Sequence, residues 1–298
     1  MQLKPLSEQV VVVFGASSGI GRVTAIEAVA RGASVVAAAR GAEALGTLAR
    51  DVVDPGRVEV VVADAAEPQQ VAAVAARAVE RFGAIDTWAH VSGVGEFARF
   101  EDHTPEEFRR IVEVDLLGPV YGAMAALPHL RRAGRGAYVV VSSEVARRSL
   151  PLASAYCAAK HGVHGFLESL RVELRHEKAP ISVTEVLPGT IATPFFEHAR
   201  TRLGVRPSGP PPVYPPERVA EAILRAAEQP RRDAVVGGAA QLQLALQRLS
   251  PRLMDVLARA AIPFERSKDP KSPADVDALD RPVEGDDRQR GVVTTLHR

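Results

Sequence analysis

The sequence predicts an α/β fold: a doubly wound parallel sheet of about seven strands with helices on both faces, followed by a C-terminal helical extension. Short apolar runs rich in Val and Ala alternate with segments of helical composition through roughly the first 240 residues, as expected when buried parallel strands are joined by helices. The first run, VVVVF, is followed at once by GASSGIG and then by a helical segment, which makes the first half of a βαβ unit.

Seven predicted strands follow one another along the chain. They are VVVVF, SVVAAA, VEVVVA, IDTWAHV, AYVVVS, ISVTEVL and, at the predicted edge of the sheet, DAVVGG. Helical patterns lie between them, and the two longest cover about residues 105–132 and 154–177. This alternation is typical of a doubly wound sheet.

The chain continues past the predicted sheet. We expect the sheet domain over residues 1–238, a helical extension over 239–265 and a polar tail over 266–298. The extension contains leucines at near-helical spacing: Leu242, Leu246, Leu249 and Leu253. Pro251 should begin a second helix there, and the pair could pack on its own subunit, on a sister subunit or on a membrane surface. The tail is rich in Pro and Asp, which favours an irregular or partly disordered chain.

Composition sets further limits. The 298 residues are 46% hydrophobic with a formal net charge of +1, which fits one sizeable domain plus an extension and gives no reason to expect nucleic acid. The one cysteine, Cys157, excludes an intrachain disulfide and fits a reducing compartment. We identify no signal peptide, no membrane-spanning apolar run of roughly 18 residues and no metal site. The predicted compartment is the cytoplasm.

The glycine loop Gly15 to Gly21 is the first candidate binding element. Glycines suit a tight turn where a pyrophosphate approaches the backbone at a helix N-terminus, because amide N–H groups and the helix dipole favour an anion there. The spacing is G-x3-G-x-G rather than the G-x-G-x-x-G of many dinucleotide folds. The alternative is a tight turn with a purely structural role.

Tyr156 and Lys160 form the second candidate element, with Ser143 thirteen positions upstream of the tyrosine. On a helix, the i, i+4 spacing puts both side chains on one face. A tyrosine normally titrates at about 10, and a neighbouring ammonium should favour its phenolate. The alternative is a half-buried tyrosine beside a solvated lysine.

Together these features closely resemble the short-chain dehydrogenase/reductase family, classical type, over roughly residues 8–240. The resemblance implies a Rossmann fold, a nicotinamide cofactor, a small carbonyl or alcohol substrate, and homodimers or homotetramers formed through the two long helices. It implies catalytic roles for Ser143, Tyr156 and Lys160, with Asp115 at the place of a fourth, supporting residue. The implied cofactor contacts are Gly15, Ser17, Ser18, Gly19, Ile20, Gly21, Arg40, Asp64, Ala65, Val91, Ser92, Gly93, Tyr156, Lys160, Pro188, Gly189, Ile191 and Thr193.

The end of the second strand bears on the choice of cofactor. Relatives that prefer NAD usually have an acid there, which accepts hydrogen bonds from the ribose 2′-hydroxyl. Here Ala39 takes that place, and Arg40 follows with a guanidinium suited to a 2′-phosphate. We therefore predict NADP rather than NAD. The alternative is that Arg40 is a solvated residue at a helix start.

Two positions depart from the family's pattern. His90-Val91-Ser92-Gly93 stands where the family usually has N-N-A-G, and we expect His90 to have a structural rather than a catalytic role. Asp115 replaces an asparagine that, in the family, helps to hold a water leading from the lysine to solvent. An ionised aspartate only accepts hydrogen bonds. Our hypothesis is that Asp115 keeps this relay and alters its pH dependence.

The resemblance implies that the cofactor exchanges a hydride with carbon while Tyr156 exchanges a proton with oxygen, Ser143 orienting that oxygen and Lys160 lowering the tyrosine pKa. A lid is expected over about residues 193–216, ending in the proline-rich RPSGPPPVYPPE. The expected, mostly apolar substrate wall consists of Glu144, Ala146, Leu150, Leu152, Phe195 and Phe196. The alternatives are a catalytically weak nucleotide-binding regulator and an enzyme that performs isomerisation or dehydration.

Overall fold

The structure, a computed structural model, describes residues 2–262 and 266–293. The last residues of the predicted extension and tail, 263–265 and 294–298, lie outside the described residues. The side chains of residues 244, 248 and 261 are also left undescribed.

Eleven strands occur in the described part of the chain. They are β1 Val10–Phe14, β2 Ser34–Ala39, β3 Val58–Val62, β4 Thr87–His90, β5 Glu96–Phe97, β6 Gly136–Val141, β7 Ile181–Pro188, β8 Arg200–Thr201, β9 Val205–Pro207, β10 Asp233–Val236 and β11 Arg266–Pro270. Seven of them form one parallel sheet in the order β10-β7-β6-β4-β1-β2-β3. The predicted seven-strand parallel sheet is confirmed, with β10 at one edge.

Ten α-helices accompany the strands within the described residues. They are α1 Gly19–Ala30, α2 Ala42–Asp51, α3 Pro68–Phe82, α4 Pro105–Val112, α5 Gly118–Arg132, α6 Ser154–His176, α7 Phe195–His198, α8 Glu217–Glu228, α9 Gly238–Leu249 and α10 Pro251–Ala261. Alternate residues of β1 enter different cores: Val12 packs with α3, α5 and α6, whereas Val11 packs with α1 and α2. Helices therefore cover both faces, because successive side chains of a strand point to opposite sides.

A short π-helical turn, Glu113–Leu117, joins α4 and α5 into one helix. Thr104 begins it with a capping box, since its hydroxyl accepts from the Glu107 N–H and the Glu107 carboxylate accepts from the Thr104 N–H. Such π-turns frequently mark functional positions, and this one contains Asp115. By length and composition alone, the joined helix, Pro105–Arg132, could cross a membrane. Its apolar residues Ile111, Ala126 and Leu130 pack in the core beneath the sheet.

The strand order creates a crevice at the C-terminal edge of the sheet. The chain builds outward from β1 through β2 to β3 and then crosses to β4, on the other side of β1. The connections after β1 and β4 therefore leave in opposite directions. In open parallel sheets, ligands bind at this switch point, outside the carboxyl ends of the strands.

Helices α9 and α10 occupy the predicted extension. Pro251 begins α10, and the Ser250 hydroxyl caps it by accepting from the Leu253 N–H. Three leucines of the stripe are exposed on this subunit, with Leu242 61%, Leu249 82% and Leu253 48% accessible, so packing on a sister subunit or on a membrane surface stays open for them.

The tail is more ordered than the sequence suggests. Its first five residues form β11, which pairs antiparallel with β9. Its next described residues, 271–293, are irregular, as expected, yet they return along the body of the protein and insert Leu279, 1% exposed, into the main core.

Candidate active site

A single cavity lies over the carboxyl ends of β1, β4, β6 and β7. Every residue that the resemblance implicates in catalysis or cofactor binding lines this cavity, with the exception of Asp115. The chain therefore brings together Ser143, Tyr156 and Lys160 with the glycine turn and the PG-x3-T element, although these segments are far apart in sequence.

The glycine turn has no room for side chains at two positions. Gly15 has φ +102°, and a Cβ added to it would lie 2.5 Å from the Ser92 backbone nitrogen. A Cβ on Gly21 would lie 2.0 Å from the Gly15 carbonyl oxygen. The turn thus presents bare backbone to the cavity at the start of α1, whose N-cap residue, Ser18, makes no capping side-chain bond. This backbone cradle fits the pyrophosphate of a dinucleotide.

Helix α6 and the end of β6 position the candidate catalytic side chains. Tyr156 and Lys160 share one face of α6, with the Lys160 Nζ 5.4 Å from the centroid of the tyrosine ring. Ser143 follows β6 and hydrogen-bonds through its side chain with the Tyr156 hydroxyl. The Tyr156 ring packs against Phe195 of α7, with centroids 5.5 Å apart.

The tyrosine's acidity differs from the expectation. Burial raises the pKa of Tyr156 above its ordinary value, the negative charge of Asp115 raises it further, and the hydrogen bond with Ser143 opposes both. In the chain by itself burial dominates, so the net shift of the Tyr156 pKa is upward, whereas the sequence analysis expected a downward one. Desolvation dominates because a phenolate in a buried site loses its hydration.

Asp115 is fully buried behind the cavity wall, against Lys160. Its Oδ1 accepts from the Val94 N–H at 2.8 Å, and its Oδ2 lies 3.8 Å from the Lys160 Nζ. That distance makes an ion pair but is too long for a hydrogen bond. Oδ2 has no hydrogen-bond partner among the described residues. Burial raises the Asp115 pKa to about 6, although Lys160 opposes the shift.

His90 has a structural environment, as expected. It lies in β4 and stacks on Phe14, and its Nε2 and the Ser92 hydroxyl are 2.9 Å apart. Burial, aided by the charge of Lys160, lowers the His90 pKa to about 3. The imidazole is therefore neutral at physiological pH and does not serve as a proton carrier there.

The two residues predicted to hold the adenosine end already have protein partners. Arg40 donates from Nη2 to the Ala278 carbonyl oxygen at 2.5 Å and from Nη1 to that of Leu279 at 3.3 Å. The Asp64 carboxylate accepts from Arg110 Nη2 at 2.5 Å. Both side chains face the cavity, but each makes contacts that the sequence did not predict.

The substrate side of the cavity is mostly apolar. Four of the six expected wall residues line it: Glu144, Leu150, Phe195 and Phe196. The other two expected wall residues, Ala146 and Leu152, do not. Glu144 is the polar exception, and burial raises the pKa of its carboxyl to about 7.

The expected lid is built around α7 and two small strand pairs. β8 pairs with β5, and β9 pairs with β11 of the tail. Phe97 of β5 contacts Phe196 of α7, with ring centroids 6.0 Å apart. The segment of the expected lid therefore contributes Phe195 and Phe196 to the apolar wall of the cavity, with Phe195 against the Tyr156 ring.

Sequence reasoning missed one part of this cavity. Its wall includes four residues of the tail: Ala278, Pro282, Val283 and Asp286. No motif marks them, because the segment DALDRPVEGDD has neither periodicity nor a recognised spacing.

Comparisons with known proteins agree with this geometry. The model of the short chain dehydrogenase family matches residues 9–204. The uncharacterized oxidoreductase YxnA of Bacillus subtilis is 41% identical over 283 residues, which cover 94% of this chain and 80% of that protein. Dehydrogenase/reductase SDR family member 7B of Bos taurus is 33% identical over 256 residues, which cover 82% of this chain and 78% of that protein.

A solved structure extends the comparison to three dimensions. The X-ray structure of an alcohol dehydrogenase from the archaeon Thermococcus sibiricus, complexed with 5-hydroxy-NADP, matches with a TM-score of 0.66 at 26% identity. The match covers 76% of this chain and 94% of that chain. The fold, the shared cavity and the family match lead to one conclusion: this chain belongs to the short-chain dehydrogenase/reductase family of oxidoreductases.

Proposed function

We propose that this chain is an NADP-dependent oxidoreductase that transfers a hydride between a nicotinamide and a carbonyl or secondary alcohol, with Tyr156 as the general acid and base. The observation that carries the proposal is the cavity in which Ser143, Tyr156 and Lys160 face the glycine turn. The apolar wall around it favours an apolar carbonyl compound as substrate.

The chain's own residues handle the proton. A bound nicotinamide would supply or accept the hydride. Tyr156 gives its hydroxyl proton to the carbonyl oxygen during reduction, and Ser143 hydrogen-bonds the same oxygen and orients it. Because burial keeps Tyr156 protonated, the site suits the reductive direction at neutral pH. Oxidation of an alcohol needs the phenolate and should be favoured at higher pH.

The cofactor would be held between the glycine turn and the PG-x3-T element. The backbone of Gly15 to Gly21 suits the pyrophosphate, and Pro188 to Thr193 border the nicotinamide end. Arg40 suits a 2′-phosphate, because Ala39 beside it offers no carboxylate for a ribose hydroxyl. The complex of the Thermococcus sibiricus enzyme with 5-hydroxy-NADP also supports NADP.

Replacing Arg40 with Ala tests this cofactor preference. Hydrogen bonds to charged groups contribute about 1.5–3 kcal/mol, so the ratio of the NADPH to the NADH dissociation constant should rise by roughly 10- to 150-fold. Isothermal titration of both cofactors measures the ratio. Arg50→Ala, on the exposed face of α2, is the matched control and should change neither constant. An equal loss for NADPH and NADH in Arg40→Ala would contradict the assignment of a 2′-phosphate contact.

Ionisation of Asp115 should make kcat/KM depend on pH on the acidic side of its pH profile. Its pKa of about 6 means that the carboxylate forms as the pH rises from about 5 to 7. The ionised form makes an ion pair with Lys160, which it holds beside the cavity, whereas the protonated form does not. We expect kcat/KM of the natural chain to rise through about pH 6, and Asp115→Asn to lose this rise.

Glu144→Gln is the control for that pH profile. Glu144 also lines the cavity and titrates at about 7, so a rise that disappears in this variant belongs to Glu144. Charged groups that act on Asp115 include Lys160 and Arg40. A pH profile that stays the same in Asp115→Asn refutes the relay.

Oxidation of NADPH in the presence of ketones, aldehydes and quinones is the direct test of function. Turnover of at least one carbonyl class, faster with NADPH than with NADH, supports the proposal. NADPH binding without turnover of any class favours the regulatory alternative instead.

We further propose a homodimer or homotetramer that forms through α4–α5 and α6. Met124 of α5 and Val172 of α6 are apolar side chains that are two-thirds exposed on the isolated subunit. The cytoplasm remains the proposed compartment, based on the single, buried Cys157.

A further inference from the structure

Residues 278–291 of the tail, here called the strap, cross the mouth of the cavity. Ala278, Pro282, Val283 and Asp286 form part of its wall. At its far end, Gly291 donates its N–H to the Ala192 carbonyl oxygen, within the PG-x3-T element. The strap therefore extends from the proposed adenosine end of the site to the element beside the proposed nicotinamide end.

The strap uses two donors that a dinucleotide phosphate would need. The Arg40 guanidinium donates to the carbonyl oxygens of Ala278 and Leu279. The Gly19 N–H, in the first turn of α1, donates to the Arg288 carbonyl oxygen at 2.9 Å. Backbone carbonyl oxygens of the strap thus accept the hydrogen bonds that phosphate oxygens would accept, both from Arg40 and from the N-terminus of α1.

The carboxylates of the strap should repel a polyanion such as NADP. Over its whole length the strap has four acids and three arginines, and all four acids lie in its first part, DRPVEGDD, residues 280–287, together with one arginine. Asp286 faces the cavity, and Asp280 lies near enough to Arg40 to stabilise its positive charge. Bringing three or four phosphate charges under these carboxylates raises the electrostatic energy of the closed position.

The strap is held by contacts that can be released. Asp286 pairs with His198 at 2.7 Å, and Arg288 pairs with Glu197 at 2.9 Å. Arg288 is about half exposed, and an exposed ion pair contributes little stability. Leu279 is the one deeply buried anchor among these residues.

We propose that the strap is an autoinhibitory segment that competes with NADP for Arg40 and the N-terminus of α1, so that cofactor binding releases it. The inference rests on the proposed cofactor site. It deepens that proposal, because the phosphate contact at Arg40 becomes both the specificity contact and the trigger for opening. NADH lacks the 2′-phosphate and therefore releases the strap less effectively.

A disulfide can lock the strap in place. A Cβ added to Gly41 would lie 3.8 Å from the Pro282 Cβ, about the mean Cβ–Cβ separation in disulfides. Gly41 has φ −79°, which any residue adopts. In the double variant Gly41→Cys, Pro282→Cys, we expect oxidation to raise the NADPH dissociation constant at least tenfold by isothermal titration, and dithiothreitol to reverse the change. The single variants Gly41→Cys and Pro282→Cys, treated identically, should show no redox dependence.

Limited proteolysis of the natural chain provides a second readout that needs no turnover. Trypsin can cut after Arg288 and Arg290 when the strap is free, so NADPH should accelerate these cuts, and NADH should do so less. Protection of these sites by NADPH would overturn the proposal that the strap is autoinhibitory, and so would equal or tighter NADPH binding in the oxidised double variant. The segment would then either hold the bound cofactor in place or have no part in binding it. If neither the reduced double variant nor the natural chain binds NADPH, the proposed cofactor site itself is contradicted, rather than the role of the strap.

Discussion

Replacing Tyr156 with Phe is expected to lower kcat by about 10²- to 10⁴-fold, the usual contribution of general acid–base catalysis, while leaving NADPH binding measurable. The variant removes one hydroxyl and keeps the ring that packs against Phe195. Ser143 then has no proton donor beside it to complete the transfer to the carbonyl oxygen. Steady-state kinetics on the best substrate of the carbonyl panel, together with NADPH titration, measure the two effects separately.

Tyr121→Phe is the matched control for that experiment. Tyr121 lies on α5 at the edge of the core and does not line the cavity, so loss of its hydroxyl should leave kcat unchanged. Because Phe tolerates burial better than Tyr, folding of the Tyr156 variant should not be impaired. Turnover of Tyr156→Phe near that of the natural chain would show that the proton comes from another group and would end the proposed mechanism.

The sheet could be predicted because its signals are local. Six of the seven strands are rich in Val, Ala or Ile, the exception being β4 with TWAH, and buried parallel strands need nothing more specific. The break at Pro251 was also visible, since proline is well tolerated at a helix start and not in a helix interior. The π-turn at Glu113–Leu117 was not visible, because its residues have the same composition as the helices beside it.

The sequence predicted which residues form the site, but it did not predict the pKa values of their side chains. Motif spacing identified Tyr156 and Lys160, yet the direction of the tyrosine pKa depends on burial, which no spacing reveals. The same limit applies to Asp115, whose substitution was visible but whose pKa of about 6 follows from its complete burial.

The strap is the clearest case of what the sequence conceals. Leu279 enters a core that includes residues more than 150 positions earlier in the chain. Arg40 donates to the carbonyl oxygens of Ala278 and Leu279, which are separated from Arg40 by 238 and 239 positions in the sequence. Backbone carbonyls carry no sequence signal, because every residue has one. A Pro- and Asp-rich composition therefore predicted an irregular or partly disordered tail, and long-range contacts give that irregular segment a fixed path.

Replacing Gly21 with Ala should have the second large effect, which concerns the glycine turn. The added methyl group would lie 2.0 Å from the Gly15 carbonyl oxygen, so α1 must move away from the turn. Forced overpacking of this kind typically costs roughly 1–3 kcal/mol. We expect a lower melting temperature and a loss of NADPH binding, measured by calorimetry and titration. Gly46→Ala makes the same change in α2, where nothing lies within 4 Å, and should stabilise the protein slightly.

The two readouts of Gly21→Ala separate the two interpretations of the glycine turn. If the turn holds the pyrophosphate on its backbone, moving α1 by a fraction of an ångström displaces the Gly19 and Ile20 N–H groups. Binding then falls further than the loss of stability alone explains. If the turn is only a tight connection between β1 and α1, the melting temperature falls while the folded fraction binds NADPH normally. That second pattern would contradict the proposed cofactor site even if the enzyme retained its fold.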